Sequence, residues 1–408
     1  MRGFLRPMTA AAGNRVFQSV LGFTVSHEVH PAVLMKALPL LFFLLVPAAF
    51  MSSCGMDGSR RGYDGHDVTV VYGDSAKPAA HSDAVTDTFT VALTGDIMMG
   101  TAYPDSALPP DEGRMLFHDV APLLRNATIA VGNLEGTLCD SAPRRKNERP
   151  NSYSFRTPVA FASRLSEAGY DFLSLANNHS FDFGISGIMS TERALDSIGI
   201  SYAGIRRRSV LALIERDGVR YGLCAFGHNY HTLRHQDLKG VKHVLDSLRG
   251  IADIVVVSFH GGGEGKAFSR LPYGKEEFLG EDRGALRDFA HFCIDNGADI
   301  VFGHGPHVVR CVELYKNRFI AYSLGNFCTP YSVSIMGVSG YAPLIIARTD
   351  RHGRFLGGHI YSFIQRKGLG PRRDTTNAAV RQIRDLTAAD MPDGRIKIRP
   401  DGEMTVID

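Results

Sequence analysis

Residues 299–311 read DIVFGHGPHVVRC. An apolar run reaches Gly303 and gives way to two histidines three positions apart, His304 and His307, with Gly305 and Pro306 between them. A short apolar run bounded by turn residues is the pattern of a buried strand. In α/β proteins ligands bind beyond the carboxyl ends of strands, so two imidazoles at such an end raise the question of a site. Glycine allows the strand end to turn sharply. Proline stiffens the bend, which would aim both rings the same way.

The same event recurs along the chain. TFTVALTGD runs into Asp96, ATIAVGNLEG into Asn133 and Glu135, and YDFLSLANNH into Asn178 and His179. DIVVVSFHGGGE runs into His260 and Glu264, and FIAYSLGNF ends at Asn326. Between these runs lie helical patterns. TPVAFASRLSEAG offers Thr157 as N-cap and Pro158 at the first helical position. GISGIMSTERALDSIGI carries apolar residues at helical spacing, and EDRGALRDFAHFCIDNG reads as a helix with Gly297 past its end. Strands alternating with helices predict α/β layering. LALIERDGVRYGLCAFG predicts a hairpin about Asp217–Gly218, and VRCVELYKNRFIAYSLGNF another about Lys316–Asn317, so the sheets should be mixed. Towards the end, PLIIARTDRHGRFLGGHIYSFIQR reads as a hairpin, NAAVRQIRDLTAAD as a surface helix and GEMTVID as a terminal strand.

The chain has 408 residues, 44% hydrophobic and 21% charged, with a net charge of +3. That is a globular composition able to bury a large core. No face-long basic stripe points to nucleic acid. Near the N-terminus, MKALPLLFFLLVPAAFMSSCG begins at Met35. A basic residue, a short apolar run and small residues before a cysteine are secretory signal architecture. The run is too short for a comfortable membrane span, and Cys54 resembles the lipidated cysteine of a bacterial lipobox. The expected division is an upstream extension at 1–34 with Met35 as the true start, a signal peptide at 35–53, and a flexible tether at 54–88. A main domain follows at 89–350, and C-terminal strands and a helix at 351–408 complete it. Both an anchored and a signal-peptide reading put the folded part outside the cytoplasm. Five further cysteines contain no CxxC, so a thiolate zinc site is not expected, and Cys224 and Cys293 read as buried thiols.

Imidazole, carboxylate and amide oxygen together suit Mn, Fe, Zn or Co; Mg or Ca would want fewer imidazoles. Asp96, Asn133, Glu135, Asn178, His179, His260, Glu264, His304 and His307 could together supply most of the ligands of two ions, which would clamp a phosphoryl oxygen and activate a water.

TGDIMMG, GNLEG, ANNHSFDFG, SFHGGGE, GHGPH and YSLGNF occur in the order found in the CapA family of poly-γ-glutamate capsule synthesis proteins. That family is similar to the calcineurin-like metallophosphoesterases, and the resemblance covers about residues 89–350. It implies a four-layer αββα sandwich with a dinuclear metal centre at the strand ends. It implies metal ligation by Asp96, Asn133, Glu135, Asn178, His260, His304 and His307, and a general acid in His179, with Asp182 orienting its ring. Glu264 and Asn326 are expected to touch substrate. The sequence departs from the phosphoesterase pattern at Met98, where a histidine is usual, and at Asn133, where a bridging aspartate is usual. Gly261 replaces an aromatic, and the last two histidines are spaced by three. The expectation is a lipid-anchored, metal-dependent hydrolase with one or two divalent ions, acting on an anionic envelope polymer or phosphoester alongside capsule synthesis proteins. The alternative is a non-catalytic envelope assembly factor on the same fold, supported by Met98 and Asn133.

Overall fold

The computed structural model describes residues 70–73, 88–145, 152–331 and 333–407. The signal peptide, Cys54 and most of the tether lie outside these residues.

Side-chain alternation builds the layers. In Phe89–Ile97, Phe89, Val91 and Leu93 enter one core, while Ala92 and Ile97 enter another. Ile129 and Val131 repeat the division against Ala130 and Leu134, as does Phe172 against Leu173. Successive side chains of a strand point to opposite faces, so this sheet is buried on both. Its strand order is Ile396–Ile398, Glu403–Val406, Phe355–Tyr361, Leu344–Thr349, Phe89–Ile97, Ile129–Leu134, Phe172–Ser174 and Ser201–Ala203. A ninth strand, Asn326–Cys328, pairs with the end of Phe89–Ile97. Pairing is parallel from Phe89–Ile97 towards Ser201–Ala203 and antiparallel on the other side.

The second sheet has seven strands. Their order is Val70–Gly73, Leu211–Arg216, Val219–Phe226, Ile254–His260, Ile300–His304, Arg318–Ala321 and Val312–Tyr315. Its apolar residues share the first core with Phe89, Val91 and Val131, so the two sheets pack face to face. Helices Leu238–Arg249 and Leu286–Asp295 cover its outer face. Leu238–Arg249 does so through Val241, Val244, Leu245 and Leu248, a single apolar stripe. Helices Ala121–Asn126, Ala162–Ala168 and Gly184–Ser197 flank the nine-stranded sheet. The result is the mixed α/β, four-layer αββα arrangement.

All three predicted hairpins form; two have positive φ at Asp217 and Gly218 and at Lys316 and Asn317, the two-residue turn that matches strand twist. Four expectations need correction. Val70–Gly73, placed in the tether, is an edge strand; the β-branched run at 68–71 favours it. The first helix begins as a 3-10 turn at Val159, with Pro158 extended before it and Thr157 in a short strand. Residues 281–284 form a strand against Glu276–Phe278, and the helix starts only at Leu286. Finally, FIAYSLGNF is two strands in different sheets, and the chain crosses between them at 322–325.

Candidate metal centre

The carboxyl ends of parallel strands bring the side chains together. Asp96 lies opposite Asn133 in register, and His260 opposite His304. Asn326 also pairs with Asp96. Asp96, Asn133, His260, His304 and Asn326 are fully buried, and Glu135 nearly so. Asp96, Glu135 and His260 can each offer one ligand atom with all three atoms within 4.8 Å of one another.

The opening stretch works differently from its sequence reading. Gly303 is a packing residue, since a Cβ there would stand 2.2 Å from the Phe259 ring. The turn is made by Gly305 at φ 113° and by His307 at φ 56°. A left-handed conformation at a non-glycine residue is strained and needs surrounding contacts to hold it. His307 has them: Nδ1 lies 2.9 Å from Asp96 Oδ2 and 3.0 Å from Asn326 Oδ1. Asn326 spends its NH₂ on the carbonyls of His307, Ser334 and Ser339. Its oxygen therefore faces the ring, and Nδ1 carries the hydrogen. Asn326, expected to touch substrate, is thus occupied in aiming His307. Nε2 of His307 lies 3.7 Å from Glu135 Oε1.

Hydrogen-bond direction also fixes the amides. The backbone N–H of His179 donates to Asn177 Oδ1 at 3.0 Å. Asn177 Nδ2 therefore donates, to Asn133 Oδ1 at 3.0 Å and to the Leu134 carbonyl at 2.8 Å. Asn133 must then turn its NH₂ to the carboxylates, and Nδ2 meets Asp96 Oδ1 and Glu135 Oε2, each at 2.9 Å. Asn133, expected as an oxygen ligand, is here a donor clamp on two carboxylates. Asn177 is thereby tied into the cluster, and Asn178, the expected ligand, stands next to it in the chain, half-buried.

His179 Nδ1 lies 2.8 Å from Asp182 Oδ2, an oxygen that also accepts from the Phe155 N–H at 2.8 Å. The His179 ring packs on Phe155 with centroids 4.4 Å apart. Glu264 is taken up by Arg283, whose Nη1 donates to Oε1 at 2.9 Å.

The electrostatics of the cluster follow from burial. Burial raises the Asp96 carboxyl, but the hydrogen bond and charge of His307 outweigh it and hold the group below its usual value. Burial and then the Asp96 charge lift Glu135 well above the carboxylate range. Burial lowers His307, yet the carboxylates of Glu135 and Asp96 win and lift it to about 10. Burial brings His304 down to about 4 and, with the charges of His228 and His304, holds His260 well below the usual imidazole value. These shifts favour the Asp96–His307 ion pair and disfavour charge on Glu135, His260 and His304.

Several buried atoms here have no hydrogen-bond partner: Glu135 Oε1, both ring nitrogens of His260, and His304 Nδ1. Ser258 Oγ engages the other nitrogen of His304 at 2.9 Å. Such orphans cost about 1–3 kcal/mol each, and these are oxygen and imidazole donors grouped in one place. The donor set fits a first-row divalent cation.

Sequence reasoning missed His228. It follows the strand Val219–Phe226 and is buried. Its ring stacks on His260 at 5.9 Å, and His304 stacks on the far side of His260 at 6.4 Å. The signal is present in the sequence, since GHNYH at 227–231 is another strand end with polar residues.

The family model described as bacterial capsule synthesis protein PGA_cap matches residues 90–331. The capsule biosynthesis protein CapA of Bacillus anthracis is 28% identical over 272 residues, covering 62% of each chain. The PGA biosynthesis protein CapA of Bacillus subtilis is 25% identical over 269 residues, covering 62% of this chain and 66% of that one. The chain therefore spans just under two thirds of these relatives' length. A probable polyglutamine synthesis accessory protein of Mycobacterium tuberculosis is 30% identical over 319 residues, 62% of this chain and 77% of that one. Among solved structures, a putative 5'-nucleotidase of Staphylococcus aureus matches 66% of this chain and 52% of its own, with TM-score 0.41 and 12% identity. A purple acid phosphatase from yellow lupin matches 75% and 55%, with TM-score 0.34 and 11% identity. From the family match over residues 90–331 and the relatives that share it, the chain belongs to the bacterial capsule synthesis protein family PGA_cap.

Proposed function

We propose that this protein is a metal-dependent hydrolase of an anionic envelope polymer, of the poly-glutamate kind, or of a phosphoester. The observation that carries the proposal is the buried group Asp96, Glu135 and His260 with its unpartnered donor atoms. These three residues would hold a Mn, Fe or Zn ion, with His304 Nδ1 and His307 Nε2 as further donors. A bound ion of this kind polarises a substrate oxygen and makes water a nucleophile at neutral pH. The polymer class is supported by the family, one of capsule synthesis proteins, and by the Bacillus relatives, which are capsule and PGA biosynthesis proteins.

The chain's own residues supply the rest. Asp182 accepts from Nδ1 of His179 and would stabilise the imidazolium form, whose second proton, on Nε2, would pass to the leaving group. Packing on Phe155 fixes the ring plane. Asn133 and Asn177 hold the carboxylates and the His179 loop in one network. His179→Ala should lower hydrolysis of a phosphodiester or γ-glutamyl substrate by about 10²-fold, the usual range for loss of a general acid. Metal content and melting temperature should stay near those of the wild type. Unchanged turnover would remove His179 from the mechanism.

One observation favours a second reading, a non-catalytic assembly factor. Asn133 turns its NH₂ to the carboxylates where a phosphoesterase carries a ligand, and the neighbouring Met98 is buried and apolar. Absence of bound metal together with absence of turnover would select it.

The membrane attachment belongs to the proposal as well. The mature chain would begin at Cys54 carrying acyl groups, and two or more chains would hold it firmly. Mass spectrometry of protein extracted from membranes should find that acylated N-terminus; an unmodified Cys54 still joined to Ser53 would rule it out.

A further inference from the structure

We infer that Arg283 reads an oxyanion of the substrate at the mouth of this site, and that Glu264 occupies its guanidinium until that oxyanion arrives. The inference rests on the site proposed above and assigns it a recognition residue. Arg283 is buried, with a side chain only 4% exposed, whereas its partner Glu264 is 27% exposed. Nη1 donates to Glu264 Oε1 at 2.9 Å, and Nε lies 3.2 Å from Glu281 Oε2 without an aligned hydrogen bond. Phe278 lies beneath the guanidinium at 5.2 Å.

The arginine is tied to the cluster on two sides. Its carbonyl accepts the Gly262 N–H at 2.9 Å, and a Cβ on Gly261 would come within 2.6 Å of that oxygen. The glycine that replaces the family's aromatic after His260 is therefore the residue that lets Arg283 approach. On the other side Glu281 reaches His228 Nε2 at 3.5 Å, and the His228 ring stacks on His260. Glu264 is close enough for its charge to act on both Glu135 and His307.

A second arginine–glutamate pair close by serves structure alone. Arg310 is fully buried and grips Glu276 through both terminal nitrogens, at 2.8 and 2.7 Å, while its Nε donates to the Phe268 carbonyl. Arg283 is held differently, by one hydrogen bond to the half-open Glu264 and an ion pair with Glu281. A guanidinium offers a planar fork suited to carboxylate or phosphate oxygens, and this one is desolvated and positioned in advance. Displacing Glu264 exchanges one carboxylate for another acid's oxygen and leaves no buried charge unpaired.

The probes are inorganic phosphate and γ-glutamylglutamate, with affinity for the purified protein read by calorimetry and its metal content measured alongside. Arg283→Gln should weaken at least one probe by about tenfold or more, the loss expected for a charge-assisted hydrogen bond, without loss of metal. The probe that weakens more identifies a phosphoryl or a carboxylate oxyanion. Glu264→Gln removes the competing charge and should tighten the same probe by about threefold or more. Equal affinities in the wild type and both variants overturn the inference. If Arg283→Gln does not fold, Glu264→Gln decides alone, and no tightening overturns it. Probe affinities that follow this pattern in a protein without turnover would sink the hydrolase reading and leave the inference standing.

Discussion

Asn133 shows how much a single amide can decide. Its orientation follows from a backbone N–H, which can only donate: His179 N–H sets Asn177, and Asn177 sets Asn133. The NH₂ that results links Asp96 and Glu135, two buried carboxyls that would otherwise repel. Replacing this donor by an acceptor inverts the arrangement. Asn133→Asp should destabilise the metal-free protein by about 3 kcal/mol or more, because it leaves a buried charge uncompensated. Saturating Mn should recover most of the loss, since a ligand that binds only the folded state stabilises it. Thermal melts with and without Mn check this. A variant that melts like the wild type under both conditions would mean that Asn133 does not govern the charge balance of the cluster. None of this was open to the sequence, where an asparagine in place of an aspartate reads simply as a weaker ligand. The direction of its hydrogen bonds is a tertiary fact. The hydrogen bonds by which Asn177 joins Asn133 and the Leu134 carbonyl are likewise tertiary and invisible in the sequence.

At the scale of elements, local chemistry was legible where it was self-contained. Asp217–Gly218 and Lys316–Asn317 need only their own backbone preferences, and both hairpins form as read. The strand ends carrying Asp96, Asn133, His260 and His304 were visible because apolar runs stop abruptly at polar residues. Reading failed where pairing partners decide. FIAYSLGNF is a continuous apolar pattern, yet Arg318–Ala321 pairs with Ile300–His304 and Asn326–Cys328 pairs with Phe89–Ile97. That crossing is what brings Asn326 to His307. At 281–284 the local pattern favours a helix start, but pairing with Glu276–Phe278 makes a strand, and this short hairpin carries Glu281 and Arg283 to the site. The helix Ala378–Asp390, read as a surface element, buries Val380, Ile383 and Leu386, an apolar face whose covering strands lie elsewhere in the chain.

For the molecule as a whole, the central fact is convergence. Asp96 and His307 are 211 residues apart and meet at 2.9 Å because each sits at the carboxyl end of a strand and the two sheets pack face to face. Family membership accounts for the fold and the motifs; the cluster of unpartnered buried donors is what calls for a cation. The most direct test is metal stoichiometry. The purified protein, equilibrated with Mn, Fe or Zn and dialysed, should retain at least about one equivalent by elemental analysis. His260→Ala, which removes a buried imidazole with no hydrogen-bond partner, should bind the ion about 10–100-fold more weakly while remaining folded, on the scale seen when a metal site loses even a supporting group. Retention of metal in the wild type and its loss in the variant is the result the account predicts; a wild-type protein that holds none of these ions, or a variant that holds them equally well, would contradict it.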